Sequence, residues 1–499
     1  MKFPLFMPVA KTLSIACVTA LMVSGCSDGG NNTANTTDVS VASEVRALVD
    51  QLDLTGDASL GRTLPEISDP VAQLGMKLFF SQALSGTLDT ACVSCHHPMF
   101  GGGDNLSLPI GVEAVSPTLI GPGRVHSSVG AHFDGGPTVP RNAPTTFNMG
   151  MWDKTIFHDG RIESLGKEPL VNGEDGEGIR TPDTAFGVMD VNAINLTQGQ
   201  ARFPVTSAEE MRGSFGDGTS NDDIRAALTT RIVDQTLPNS WINEFQAAFD
   251  STATAVELIT FENIAHALGE YERSQVFVNS PWKAFVAGDD NAMTLSAQRG
   301  AKLFYTDPQA GGAGCVACHS SDFFSDEEFH VLATPQIGRG KGDGETGDDD
   351  FGRFRETGEP ADKYAFRTPT LLNVAVTGPW THAGAYNDLY AMIEHHVNPA
   401  EAIENYDFTL AALQQGIQKD NAEANTAKAL AAFQALETSK LPTLELTAAE
   451  IEDLVEFMHA LTDPCVLDRE CMSPWIPDNT DSGPDALQLN GVDENNELL

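Results

Sequence analysis

The sequence predicts a mainly α-helical protein made of two related domains in tandem, with long loops between the helices. Three observations predict it: an internal duplication, helical spacing of the apolar residues, and few stretches that alternate as strands. Gly75-Met76-Lys77-Leu78-Phe79 returns as Gly300-Ala301-Lys302-Leu303-Phe304, and Pro144-Thr145-Thr146-Phe147-Asn148 as Pro369-Thr370-Leu371-Leu372-Asn373. Phe157-His158-Asp159-Gly160 is likewise answered by Thr381-His382-Ala383-Gly384. The landmarks keep their order about 225 residues apart, a period that suits duplicated domains and not a solenoid.

Along the chain, residues 1–26 read as an export signal. Lys2 and Lys11 flank apolar residues, 12–23 are mostly small and apolar, and Val23-Ser24-Gly25-Cys26 closes the segment. The pattern is similar to a bacterial lipoprotein signal, which would place the protein in the periplasm, held to the membrane only by lipid on Cys26. Residues 27–45 read as a flexible tether rich in Asn, Thr, Ser and Asp. The N-terminal domain is expected over 46–277, an interdomain connection over 278–294, the C-terminal domain over 295–475 and an acidic, mobile tail over 476–499. Within the domains, 254–275 keep helical spacing through Leu258, Phe261, Ile264, Ala265 and Leu268. Thr447-Ala448-Ala449-Glu450 is a capping box ahead of Ile451, Leu454, Val455, Met458 and Leu461. Loops at 98–144, 172–203 and 331–362 are long for structureless connections, which marks them as walls of a site.

The chain has eight cysteines. Cys17 and Cys26 fall in the signal, and four of the others make Cys92-Val93-Ser94-Cys95-His96 and Cys315-Val316-Ala317-Cys318-His319. This is the c-type haem attachment signature, two thiols for the haem vinyls and an imidazole for the iron. A zinc site or a pair of redox dithiols leaves a histidine directly after both pairs unexplained. Each domain is therefore expected to be cytochrome c-like with one covalent haem. Cys465 and Cys471, in a Pro-flanked loop of an exported protein, are expected to pair as a disulfide. The formal net charge is −41, which excludes a nucleic-acid binder and favours a basic protein partner.

Leu74-Gly75, Lys77-Leu78-Phe79-Phe80, Leu84-Ser85-Gly86, both haem motifs, Arg141-Asn142-Ala143-Pro144-Thr145, Asp159-Gly160-Arg161, Phe366-Arg367-Thr368-Pro369-Thr370-Leu371 and His382-Ala383-Gly384 together resemble the bacterial di-haem cytochrome c peroxidase and MauG family, from about residue 65 to 465. The resemblance implies an N-terminal haem that meets hydrogen peroxide, a C-terminal haem that relays electrons from a small cytochrome c or cupredoxin, and a calcium ion between the domains; it also accommodates a homodimer. Two alternatives stand beside this reading: a MauG-like oxidase of a protein side chain, and a di-haem electron carrier with no catalytic role.

The family pattern assigns residues. His96 and His319 are the proximal ligands. His396, on a helix expected over 387–396, stands where the family places the distal ligand of the C-terminal haem, with His395 as the neighbouring choice. The family's removable distal histidine falls on Val112, so the N-terminal haem is open unless His126 or His132 swings in. His158 replaces the tryptophan that the family places between the haems, and His382 is its counterpart. Glu177, with Glu174 nearby, falls in the interval of the family's acid–base glutamate. Asn142, Thr377 and Pro379 map onto the calcium ligands, hard oxygen donors suited to that ion.

Overall fold

The computed structural model of the protein describes residues 40–436 and 443–499. The expected signal, and residues 27–39 of the expected tether, lie outside the described residues. Among the described residues no helix is long and apolar enough to cross a membrane. The secondary structure is helical with few strands: a three-stranded antiparallel sheet of Thr155–Ile156, Ile162–Ser164 and Ile179–Arg180, and a hairpin of Phe329–Val331 with Ala365–Arg367.

There are two large apolar cores, one built mainly from the first half of the duplication and the other from the second half together with Met149, Trp152, Ile162 and Leu196 of the first. In the first, helices Pro70–Phe80, Asn221–Val233, Trp241–Ala248 and Phe261–Arg273 bury Leu78, Leu228, Trp241, Ile264 and Tyr271. In the second, helices Leu295–Tyr305 and Ala448–Ala460 bury Phe304, Leu454 and Phe457. Several of these helices begin where a side chain caps them. Thr260, Thr294 and Thr447 accept the backbone N–H of Asn263, Ala297 and Glu450, and Glu450 reaches back to Thr447 N (2.8 Å) to complete the capping box.

The repeated glycine has a packing cause. A Cβ on Gly75 would meet the Ala267 carbonyl oxygen at 1.9 Å, and one on Gly300 would meet that of Asp453 at 1.9 Å. In both halves the helix ahead of the haem motif touches the backbone of the last helix at a residue with no side chain. Gly300→Ala must push the two helices apart; a loss of about 1–3 kcal/mol is expected, read as a lower unfolding midpoint at unchanged haem content.

The ends of the described chain cross between the halves. Helix Val41–Gln51 puts Ala42, Val45 and Val49 into the C-terminal core, and Lys302 Nζ meets Glu44 Oε2 at 2.7 Å. Segment 464–499 runs the other way. Val466, Met472, Ile476 and Leu489 enter the N-terminal core, Leu489 N donates to the Phe80 carbonyl (2.8 Å), and the buried Trp241 indole N–H donates to Asp485 Oδ2 (2.8 Å). Cys465 and Cys471 form the expected disulfide.

Three expectations are corrected here. The tether stops short of 45, because Ser40 caps a helix that starts at Val41 and is held by apolar burial. Residues 476–499 are docked, not a free tail, since their few apolar side chains and Asp485 complete a core elsewhere. The connection at 278–294 contains helix Pro281–Val286, with Trp282 and Phe285 buried in the C-terminal core.

Candidate functional site

One internal cavity runs between the halves and is lined by Cys92, Cys95, His96, Cys315, Cys318 and His319. Both motifs form a 3₁₀ turn, Cys92–Ser94 and Cys315–Ala317, which brings the histidine N–H back to the first cysteine carbonyl at 3.1 and 3.0 Å. His96 Nδ1–H donates to the Gly102 carbonyl (3.1 Å) and His319 Nδ1–H to that of Phe324 (3.0 Å). That bond fixes the tautomer and leaves Nε2 as the free lone pair, the usual arrangement of a metal-binding imidazole. Burial holds both rings neutral, His319 at about 4.

The halves differ on the opposite side. On helix Leu389–Val397, His396 donates from Nδ1 to the Met392 carbonyl (2.9 Å), and its ring centre lies 6.3 Å from that of His319. Two metal–imidazole bonds of about 2 Å, with roughly 1.2 Å from each nitrogen to its ring centre, span about 6 Å, so an iron fits between the rings. His395 is spent elsewhere: Nε2–H donates to the Leu332 carbonyl (2.8 Å), and Nδ1 accepts from Tyr386 Oη (2.9 Å).

In the N-terminal half, among the described residues, His158 is the one histidine that shares the cavity wall with His96. Among the described residues the other histidines on the cavity wall are His158, His330 and His382, together with the pair just described. His158 Nε2–H donates to the Asn142 carbonyl (3.1 Å), His330 Nε2 to Asp326 Oδ2 (2.9 Å), and His382 Nδ1 bonds Thr334 Oγ1 (3.2 Å). Val112 is buried, and His126 and His132 turn to Glu113 instead of the cavity. The wall here carries Gln200, Pro204, Glu210 and Met211. Desolvation pushes the Glu210 carboxyl above the ordinary range, opposed by the charges of Arg161 and Lys341.

Glu177 is exposed on the loop ahead of strand Ile179–Arg180 and does not reach the cavity; Glu174 is exposed as well. The acid that does reach it, Glu210, lies on the short helical turn Ala208–Arg212, outside the interval counted from Arg161. Its signal in the sequence is slight: an acid shortly after Gln200 and Pro204, in a segment whose helical turn buries Met211. A second, polar cavity shares Pro140, Glu210 and Lys341 with the first and is edged by Asp134, Glu209 and Arg339.

Between the motifs, Asn142 links the halves. Its N–H donates to the His382 carbonyl (2.8 Å) and its carbonyl receives His158. Burial and the nearby Arg141 charge hold His158 neutral at about 3, and burial holds His382 at about 4. The Asn142 Nδ2 donates to the Leu106 and Ser107 carbonyls (3.0 and 3.3 Å), which leaves its Oδ1 as the free donor atom for a cation. Thr377 and Pro379 share the cavity wall with it. Arg367 lies 3.4 Å over the Trp152 ring and keeps a buried Nη1 without a hydrogen-bond partner. That orphaned cation on the wall is what a haem propionate would satisfy, so donors, tautomers and wall all fit two c-type haems.

A family model described as di-haem cytochrome c peroxidase matches residues 69–291. The chain is 26% identical to the methylamine utilization protein MauG of Methylorubrum extorquens over 79% of this chain and 86% of that protein. It is 28% identical to cytochrome c551 peroxidase of Pseudomonas aeruginosa over 64% of this chain and 69% of that protein. A crystal structure of a MauG-like protein associated with microbial copper homeostasis shares the fold, with a TM-score of 0.53 at 22% identity over 83% of this chain and 96% of that one. With two attachment motifs on one cavity, the chain is similar to di-haem cytochrome c peroxidases and to MauG proteins, and the family model's match covers residues 69–291.

Proposed function

We propose that this protein reduces hydrogen peroxide to water at its N-terminal haem and draws the electrons, through its C-terminal haem, from a small basic redox protein. The observation that carries the reading is the asymmetry of the halves: His396 pairs with His319, while on the wall near the first motif the described residues offer Glu210 and Gln200, and the imidazole of His158 is taken by the Asn142 carbonyl. The reaction takes up two electrons and two protons and releases two waters. The haems supply the iron that binds peroxide and the electron reserve. Glu210 accepts the proton of one peroxide oxygen and returns it to the other as the bond breaks. The polar cavity ending at Glu210 and Lys341 is the access route for a small hydrophilic substrate. Asn142 Oδ1, with the carbonyls of Thr377 and Pro379, would hold a calcium ion between the halves. Exported and anchored by lipid at Cys26, the enzyme would work in the periplasm.

A ferric spectrum with one high-spin and one low-spin haem, the first responding to peroxide, is the expected result. Two low-spin, inert haems would reduce the protein to a carrier. Peroxide consumption with a reduced basic cytochrome c or cupredoxin should follow and should slow as salt screens the −41 charge. The similarity to MauG, together with His158 in place of an interhaem tryptophan, sustains the second reading, oxidation of a protein side chain. No catalytic consumption of peroxide, with covalent change in a partner protein, would decide for it.

A further inference from the structure

The two glycine contacts put the halves of the cavity wall in register. A Cβ on Gly75 would meet the Ala267 carbonyl and Tyr271 Cβ, and one on Gly300 would meet the Asp453 carbonyl and Phe457 Cβ, so 267 answers to 453 and 271 to 457. Leu268 and Leu454 are then equivalent, and both line the cavity. One helical turn further on the likeness breaks: Glu272 lines the cavity in the first half where Met458 lines it in the second. We infer that Glu272 is a proton-binding site coupled to the N-terminal haem, its carboxylate taking up one proton as that haem takes up one electron and releasing it on reoxidation.

Glu272 is 4% exposed, and its Oε2 is buried without a hydrogen-bond partner. The charged groups of the elements around it are engaged elsewhere. Lys77 meets Glu244 Oε2 (2.6 Å), Arg273 pairs with Glu270, and Glu262 is exposed. On helix Asn221–Val233, Arg225 meets Asp183 and Asp222 (2.7 and 2.8 Å), Arg231 donates to the Ser85 carbonyl (2.7 Å), and Asp223 caps the helix through Ser220. Helix Leu196–Ala201 and the turn Met149–Met151 carry no charged side chain, and Tyr271 Oη donates to the Trp475 carbonyl (2.8 Å). On the cavity wall, Arg161 and Lys341 act on Glu210. Burial is what lifts the Glu272 carboxyl, to about 8, with no protein cation to offset it.

A buried carboxylate without a partner is costly, and Met458 shows that the repeated fold does not need an acid at this place. The charge that can offset the cost arrives with the cofactor. A ferric haem attached at Cys92 and Cys95 supplies one net positive charge at its core, and a ferrous haem supplies none. Glu272 lies within electrostatic reach of the Cys92 sulfur. Its ionised form is therefore favoured beside the oxidised haem and its neutral form beside the reduced one. One electron from the donor protein and one proton from solvent enter together, and the interior keeps its net charge. This coupling requires a haem at the first motif and does not depend on peroxide as the substrate; where peroxide is the substrate, the electron held at the first haem brings with it one of the two protons consumed.

The test is a spectroelectrochemical titration of the intact di-haem protein from about pH 5 to about pH 9. His396→Met shifts the wave of the second haem and so labels it. The first wave is expected to fall by about 59 mV per pH unit, one proton per electron, and to level off above about pH 8, where the carboxyl is ionised in both redox states. Glu272→Gln keeps the shape of the side chain, and Glu272→Met matches the second half; both should make the first wave independent of pH and leave the second unchanged. The reduced-minus-oxidised infrared difference of the wild type should gain the band of one protonated carboxyl, absent in Glu272→Gln. Whichever variant retains its full haem content decides. A first wave independent of pH in the wild type, or a slope that survives in a haem-replete variant, would overturn the assignment. Peroxide turnover is not read, so a failure of the peroxidase reading leaves the result intact.

Discussion

Glu210→Gln should lower peroxide turnover by about 10²–10⁴ while leaving haem content and the low-spin haem spectrum unchanged. The amide keeps the shape of the side chain and its place on the wall beside Gln200 and Pro204, but it cannot carry a proton between the peroxide oxygens. The pH profile distinguishes this from a packing defect. Desolvation sets the Glu210 carboxyl above an ordinary glutamate, so its base form is lost as pH falls through that raised value. Wild-type activity should decline on the acid side at a higher pH than an exposed carboxylate would dictate, and the variant should lack that limb. Retention of most of the turnover in Glu210→Gln would exclude it as the proton carrier.

The second large effect is on stability. Arg141 is buried between the halves and ion-paired with two buried aspartates: Nη1 with Asp159 Oδ2 at 2.5 Å, and Nε and Nη2 with Asp350 at 2.7 and 2.8 Å. Its charge holds both carboxyls well below the ordinary range against the cost of burial. Arg141→Met leaves Asp350 without its partner and Asp159 with Arg161 alone, at 3.2 Å. Breaking a buried pair of this kind costs about 3–5 kcal/mol. Because the folded pKa values are depressed, the stabilisation is fully present above the unfolded value of about 3.9 and is lost as pH falls below it. The wild-type and variant denaturation midpoints should therefore differ widely at pH 7 and converge below about pH 4. A constant gap across that range would show that the ion pairs do not set the difference.

What the sequence made legible follows from what is local in it. A Cys-X-X-Cys-His run encodes its own turn, so both haem motifs and the tautomers of His96 and His319 follow from a few adjacent residues. The repeated glycine was visible as a landmark, and its cause, the carbonyls of Ala267 and Asp453, lies over 150 residues away. His396 was separable from His395 only through Tyr386 and Leu332, which take both nitrogens of the latter. Glu210 was missed because counting from Arg161 presumes a fixed loop length, and the loop here places exposed Glu177 in that interval. Segment 476–499 was misread for a different reason. Its composition reports solvation, whereas Leu489 and the pairing of Asp485 with Trp241 report where it is bound.

The crossing of the two end segments bears on how the protein matures. Val466, Met472 and Leu489, which finish the first core, are the last of its parts to be synthesised. The pocket around Cys92 and Cys95 then stays incomplete until segment 464–499 has been made, which leaves that motif accessible throughout the synthesis of everything before it. Closure of the first core by segment 464–499 is therefore a late step of folding.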